Sequence, residues 1–192
     1  LDNDEKLRHV LSLKKHLFLE FGFGHGENII KLSLNRPDWV FIAIDPFLNG
    51  VASLLEKIKT KSISNIYIYH GDGRSFLKEL PKNSISETCI LFPDPWPKFK
   101  HESRRIIQRE FLNKLSEVMT SNSFVYTSSD NYIAQAWMLK IFLYNKNFEW
   151  IVKDINQIYT KPDFFEDTKY FKKSLKEGRQ ASWLKFKNIK AY

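Results

Sequence analysis

The sequence predicts an α/β fold: a Rossmann-like, doubly wound and mostly parallel sheet with helices on both faces. Three observations predict it. Short runs rich in β-branched and aromatic residues alternate with segments whose apolar residues recur at helical spacing. The first five runs are apolar almost without a break, as strands covered on both faces by helices are. Strand–helix alternation at this spacing favours parallel pairing through crossover helices.

In chain order, HLFLEF (16–21) is the first strand and leads through a glycine loop into the helical segment ENIIKLSLN (27–35). WVFIAID (39–45) is the second, followed by the helical NGVASLLEKIKT (49–60). NIYIYH (65–70) is the third and precedes RSFLKEL (74–80). ETCILF (87–92) is the fourth, and a long helix is expected over SRRIIQREFLNKLSEVMT (103–120). SFVYTSS (123–129) is the fifth, followed by the helical NYIAQAWMLKIFLY (131–144). After Tyr144 the pattern changes. IVKDINQIYT (151–160) and ASWLKFKNI (181–189) are expected as two further strands pairing antiparallel at the sheet edge, with a charged loop of no clean period (161–180) between them. Trp137 and Trp183 are expected in the core, and Gly178 and Arg179 in the turn into the last strand.

A chain of 192 residues, 43% hydrophobic and 27% charged, suits one globular domain over its whole length. No apolar run approaches the ~20 residues that span a bilayer, and no signal peptide opens the sequence. The single cysteine, Cys89, cannot form an internal disulfide and reads as a buried thiol in a reducing cytoplasm. The formal net charge of +8 favours a polyanionic partner such as nucleic acid. No His, Cys and acid cluster has ligand spacing, so no metal is expected. The first residue is Leu1 rather than methionine, which reads either as a trimmed chain or as a module cut from a longer, fused polypeptide, with 1–15 a partly ordered, truncated leader; a monomer is the other expectation.

Glu20, Gly22, Gly24 and Gly26 fall where the first strand passes into the first helix. Glycines there let backbone amides approach a ligand, and the helix N-terminus adds partial positive charge. The dinucleotide fingerprint needs G-x-G-x-x-G, whereas this chain reads G-F-G-H-G, one residue short. Glu20 would repel a pyrophosphate and welcome a cationic ligand with an amino acid end, such as S-adenosylmethionine. Asp45 ends the second strand and suits a ribose diol; Asp72, after the third, suits the adenine amino group. Helix capping is the competing role for both.

The chain resembles the bacterial tRNA (guanine-N7)-methyltransferases. The residues that carry the resemblance are EFGFGHGE, the acid ending IAID, NIYIYHGDG, LFPDPWPKFKHESRRI, SSDNYIAQAWM and the TKY of the late loop. It spans nearly the whole chain, and PDPWPK followed by H-x-x-x-R is its most specific part. The resemblance implies a methyltransferase fold with a seven-stranded sheet whose last strand runs against the rest. It also implies methyl transfer from S-adenosylmethionine to a guanine in the tRNA variable loop. Carried over position by position, Glu20, Asp45, Asp72 and Asp94 match cofactor-site residues, and Asp94 matches the catalytic one. Lys98, Asp130 and Thr168 match substrate contacts, with Lys169 and Tyr170 beside them. Where relatives usually have a glutamate after Thr-Lys-aromatic, this chain has Phe171, so that contact to the guanine edge is absent or passes to Glu166 or Asp167.

Guanine N7 carries a lone pair and no proton, so it attacks a sulfonium methyl without a general base. Positive charge then builds on the purine, and a fixed carboxylate stabilises it. Pro93 and Pro95 hold the backbone around Asp94, and Trp96 offers a stacking face. A strand-end turn with a packing tryptophan is the competing reading. Lys98, Lys100, His101, Arg104 and Arg105 then form a track suited to phosphates, placed at the start of the long helix, where cations oppose the helix dipole. Asp130 either contacts substrate or caps the helix after the fifth strand. Three rival readings remain at this level: a methyltransferase for an exocyclic amino group or glutamine, a nicotinamide oxidoreductase, and a silent RNA-binding module.

Overall fold

The computed structural model describes residues 4–13 and 15–190. The five apolar runs become β1 (Leu17–Phe21), β2 (Val40–Ile44), β3 (Ile66–Tyr69), β4 (Ile85–Leu91) and β5 (Met119–Ser129). All five pair in parallel, in the order β3-β2-β1-β4-β5. Beyond them, β7 (Ser182–Asn188) runs antiparallel to β5 and carries β6 (Phe148–Trp150) on its far side. Because β6 is antiparallel to β7, β7 alone opposes the other six strands.

Alternation along β1 divides the core. Leu17, Leu19 and Phe21 face one cluster, which includes Phe76 of α4 (Gly73–Glu79), Leu112 of α5 (Arg109–Val118) and Phe142 of α6 (Tyr132–Leu143). Phe18 faces the other, with Ile29 of α2 (Glu27–Asn35), Leu54 of α3 (Leu48–Thr60) and Phe165 of the late loop. Cys89 is fully buried in this second cluster. Part of the leader expected at 1–15 is a helix, α1 (Asp4–Ser12), with Leu7 and Val10 buried against the first cluster; residues 1–3 and 14 lie outside the described residues.

Three expectations are corrected. The helix expected over 103–120 is a 3-10 helix at Phe99–Arg104, an extended stretch at 105–108, and α5 from Arg109. Burial of Arg105 and Ile107 holds that stretch open, and β5 already begins at Met119, where it pairs with Ile85. Residues 151–160 are no strand. The edge strand is the shorter β6 just before them, and Asp154 then accepts from the Asn156 amide to start a 3-10 turn at Ile155–Tyr159. The loop 161–180 contains a helix the sequence pattern hid, α7 (Lys169–Lys176), capped by Thr168.

Strand order reverses between β1 and β4, since β2 and β3 lie on one side of β1 and β4 and β5 on the other. In an open α/β sheet that reversal opens a crevice at the carboxyl ends of the strands. The loops after β1, β2, β3 and β4 all meet there.

Candidate active site

The crevice is a cleft of about 500 Å³ lined by Gly22 and Gly24 after β1, Asp45 after β2, Asp72 after β3, and Phe92, Pro93, Asp94 and Trp96 after β4. Arg74, Arg104 and Tyr170 close its rim. A narrow recess beside it is lined by Glu20, Gly22, Gly24, His25, Glu27, Thr168, Lys169 and Tyr170. Most of the residues singled out from the sequence therefore converge on one place.

The glycine loop is built around left-handed backbone. Gly22, Gly24 and Gly26 have φ of 75°, 57° and 81°, conformations that cost a residue with a side chain. At Gly26, the first cap of α2, a Cβ would also meet Leu54 Cδ1 at 2.7 Å, so the loop needs glycine there twice over. Asp45 is 7% exposed and ties two loops together: Oδ2 accepts from the Gly24 amide at 2.9 Å and Oδ1 from the Phe47 amide at 2.9 Å. It makes no helix cap, because α3 begins without a side-chain cap bond. Asp72 does cap α4, with Oδ1 accepting from the Arg74 and Ser75 amides, while remaining exposed on the cleft wall.

Glu20 lies on the Phe18 side of β1, 2% exposed. Its Oε1 accepts from Asn28 Nδ2 at 3.0 Å, and its Oε2 has no hydrogen-bond partner. Burial pushes its pKa up to about 8, and Glu27 and Asp45 add to the rise, opposed by the Asn28 bond. A buried acid with one unpartnered oxygen beside a glycine loop is what a ligand ammonium group would complete. These features fit S-adenosylmethionine. Glu20 would hold the ammonium, the Gly22–Gly26 backbone would lie along the ligand, and Asp45 keeps further lone pairs for a ribose diol.

Asp94 is exposed, and among the described residues no hydrogen bond or ion pair engages it. The turn around it is held by others. Phe92 and Trp96 have φ of 50° and 38°, unusual for aromatic residues. Arg105 explains how Trp96 stays there. Its Nε donates to Pro95 O at 3.2 Å, its Nη2 donates to Trp96 O at 3.0 Å, and its guanidinium lies 4.5 Å from the Trp137 ring centroid. Arg105 is 7% exposed and so is no phosphate contact; it braces the turn from behind, which corrects the expectation. Arg104 and His101 instead flank Trp96, at 4.8 Å and 5.8 Å, and Arg104 reaches the cleft wall. Lys98 and Lys100 are exposed at the start of the 3-10 helix. Arg104 and Arg105 close that helix rather than open a long one, so the expected opposition to a helix dipole, which argued for a role beyond helix stability, does not apply to them.

Asp130 lies outside both cavities. Arg179 Nε donates to its Oδ2 at 2.8 Å, and the cap on α6 comes from the neighbouring Asn131. Thr168, expected as a substrate contact, caps α7 through the Phe171 amide. Phe171 turns inward, packing edge-on against Trp183 at 5.5 Å, and neither Glu166 nor Asp167 lines the cleft in its place. Trp183 is buried as expected; Trp137 is half-buried and donates to Ile107 O. Gly178, at φ 64°, and Arg179 do form the turn towards β7.

Two site residues escaped the sequence reading. Arg74 Nη2 donates to Arg104 O and Arg105 O, joining α4 to the turn that carries Asp94. Asn28 bridges Glu20 and the Glu166 amide. A signal existed for each. Asn28 is a polar residue four positions before the buried Leu32, on the inward stripe of α2. Arg74 is a cation in the first turn of α4, where it opposes the dipole.

Among the described residues no helix is long and apolar enough to cross a membrane, and no group of three or more His, Cys, Asp and Glu could hold a metal. Residues 14–184 match the family model of a putative methyltransferase. The chain is 35% identical to the tRNA (guanine-N(7)-)-methyltransferase of Wolbachia pipientis wMel, covering 96% of this chain and 80% of that protein. It is 34% identical to the enzyme of the same name from Jannaschia sp. (strain CCS1), covering 90% and 72%. Among solved structures, the fold matches an antibiotic-related methyltransferase at TM-score 0.64 and 19% identity, covering 99% and 96% of the two chains. It matches the 16S rRNA (adenine(1408)-N(1))-methyltransferase of Catenulisporales acidiphilia at TM-score 0.65 and 12% identity, covering 100% and 96%. The cleft at the strand reversal, the buried acid beside the glycine loop and the match along nearly the whole sequence have one explanation: the chain belongs to the tRNA (guanine-N7)-methyltransferase family.

Proposed function

We infer that this chain transfers a methyl group from S-adenosylmethionine to N7 of a guanosine in tRNA, in the variable loop. The observation that carries the reading is Asp94: an exposed carboxylate without a protein partner, held between two prolines at the cleft that Glu20 adjoins. When bound, S-adenosylmethionine supplies an electrophilic methyl; N7 bonds to it as the sulfur–carbon bond breaks, leaving the electron pair on sulfur and the positive charge on guanine.

The protein's residues have no proton to remove from N7. Asp94 faces the charge that develops on the purine, or accepts from guanine N1–H and its amino group. Trp96 and Tyr170, both on the cleft wall, give the base apolar faces to lie against. The rigidity of the 92–96 turn, braced by Arg105, lowers the ordering cost of each encounter. Lys98, Lys100 and Arg104 follow Asp94 in the chain and are exposed. α7, whose Tyr170 lines the same cleft, carries Lys169, Lys172, Lys173 and Lys176 outward and no acid. We assign both to phosphates flanking the target, with the cytoplasm as the place of action.

Incubating the protein with tRNA transcript and labelled donor, then digesting to nucleosides, should yield 7-methylguanosine. An N2-methylated nucleoside, or no transfer at all, would overturn the reading. Two substitutions separate contact from bracing. Lys98→Ala should weaken tRNA binding and lower the slope of log K against log salt by about one unit. Arg105→Ala should leave that slope unchanged and instead cost about 2 kcal/mol of stability, since its bonds to carbonyls come from a charged, buried donor. An unchanged slope in the first or a reduced one in the second would reverse these roles.

A further inference from the structure

The late loop is held on α2 by two side chains, Lys31 and Asn28, and braced within itself by Lys161. Lys31 Nζ donates to Asp163 O and Phe165 O, Lys161 Nζ donates to Phe165 O, and Asn28 Oδ1 accepts from the Glu166 amide at 3.2 Å. Phe165 is fully buried, so the segment is anchored there whatever Asn28 does. What Asn28 governs is the stretch just after the anchor, which leads into Thr168, Lys169 and Tyr170 at the recess. Asn28 is 1% exposed, and its other end donates to Glu20.

We propose that Asn28 is a positioning residue that couples the two substrates, so that donor binding at Glu20 and tRNA binding at the α7 segment strengthen each other. The proposal rests on the function inferred above.

The coupling follows from the polarity of one amide. An ionised Glu20 accepts and cannot donate, so it requires Asn28 Nδ2 to face it, which aims Oδ1 at the Glu166 amide. A protonated Glu20 can also donate, and then tolerates the flipped amide, in which Nδ2 faces the Glu166 N–H and two donors oppose each other. A donor ammonium completing Glu20 Oε2 favours the ionised acid and with it the latched orientation. The titratable groups around Glu20 do not supply that counter-charge: Glu27 of α2 and Asp45 after β2 are acids and Cys89 of β4 is a buried thiol, while His25 and Lys169 lie on the recess wall. Linkage then requires tRNA, by favouring the ordered α7 segment, to tighten the donor by the same factor.

The test measures the dissociation constant of S-adenosylhomocysteine, which keeps the amino group and cannot react, with and without unmodified tRNA. In the wild-type protein tRNA should tighten it by about tenfold, and the ligand should slow hydrogen exchange at the Glu166 amide. Asn28→Asp lacks the amide N–H that Glu20 accepts, and its carboxyl shares one mobile proton with Glu20 in place of a fixed donor. It should still accept from Glu166, but tRNA should change its S-adenosylhomocysteine affinity less than about twofold. Asn28→Leu should lose both the coupling and the Glu166 protection. A variant that keeps the tenfold factor, or a wild-type protein that methylates tRNA without any coupling, overturns the proposal. If neither variant folds, the wild-type exchange experiment decides, and an unchanged Glu166 amide overturns it. A wild-type protein that binds no tRNA, yet whose Glu166 amide responds to the ligand, would sink the functional reading and leave the Asn28 latch standing.

Discussion

Asp94→Ala is expected to lower the turnover of methyl transfer by about 10² to 10³-fold, with folding intact. Both halves follow from its surroundings. The carboxylate is exposed, and among the described residues nothing bonds to it, so removing it should change stability by less than about 0.5 kcal/mol. The turn keeps its shape because Pro93, Pro95 and the Arg105 brace hold it, not Asp94. The loss should fall on kcat more than on donor affinity, since the acid assigned to the donor's ammonium is Glu20, in the adjoining recess that Asp94 does not line. Asp94→Asn distinguishes the two roles open to the acid. It keeps an acceptor for guanine N1–H but no charge, so little recovery would point to charge stabilisation and substantial recovery to hydrogen bonding. Steady-state kinetics on tRNA beside thermal melts check this. Full activity in Asp94→Ala would remove the residue from the mechanism.

The five parallel strands were legible because each carries a short apolar or aromatic run between helix-period segments, even where β4 and β5 extend into polar residues. The acids at their ends were legible because the sheet brings such ends to one edge. β7 between β5 and β6 was half legible: the antiparallel pairing was expected, but Phe148–Trp150 is too short to show a period. α7 was hidden because its inward face is only Phe171 and Ser174, set among lysines. The cations after PDPW illustrate the limit most plainly. Arg104 and Arg105 are adjacent and chemically identical, yet one stands exposed at the cleft and the other is buried against Trp137. Composition cannot separate them, because the difference arises from carbonyls that the strained turn turns inward. Asp130 shows the converse: its acid end is satisfied by Arg179, 49 residues along the chain, a pairing no local pattern contains.

Glu20→Gln is expected to weaken S-adenosylmethionine binding by roughly 100-fold, about 3 kcal/mol, because a buried carboxylate facing an ammonium is replaced by a neutral amide. The same substitution should stabilise the ligand-free protein at alkaline pH. The pKa of Glu20 in the folded chain is raised from 4.5 to about 8, chiefly by burial. A raised acid favours the fold while both states are protonated, below about pH 4.5, and this contribution is lost as pH climbs to about 8, by then a few kcal/mol. Ligand-free wild-type protein should therefore lose stability from about pH 5 to pH 8, where Glu20→Gln stays flatter. Donor binding runs the opposite way: it needs the ionised acid, so affinity should rise over the same interval with release of a proton, seen in calorimetry as a heat that scales with buffer ionisation enthalpy. A wild-type affinity independent of pH, or a Glu20→Gln protein that binds the donor as well as wild type, would place the ammonium elsewhere. Asp45 holds the Gly24 and Phe47 amides and its remaining lone pairs are assigned to the ribose diol, so an ammonium bound there would compete with the diol.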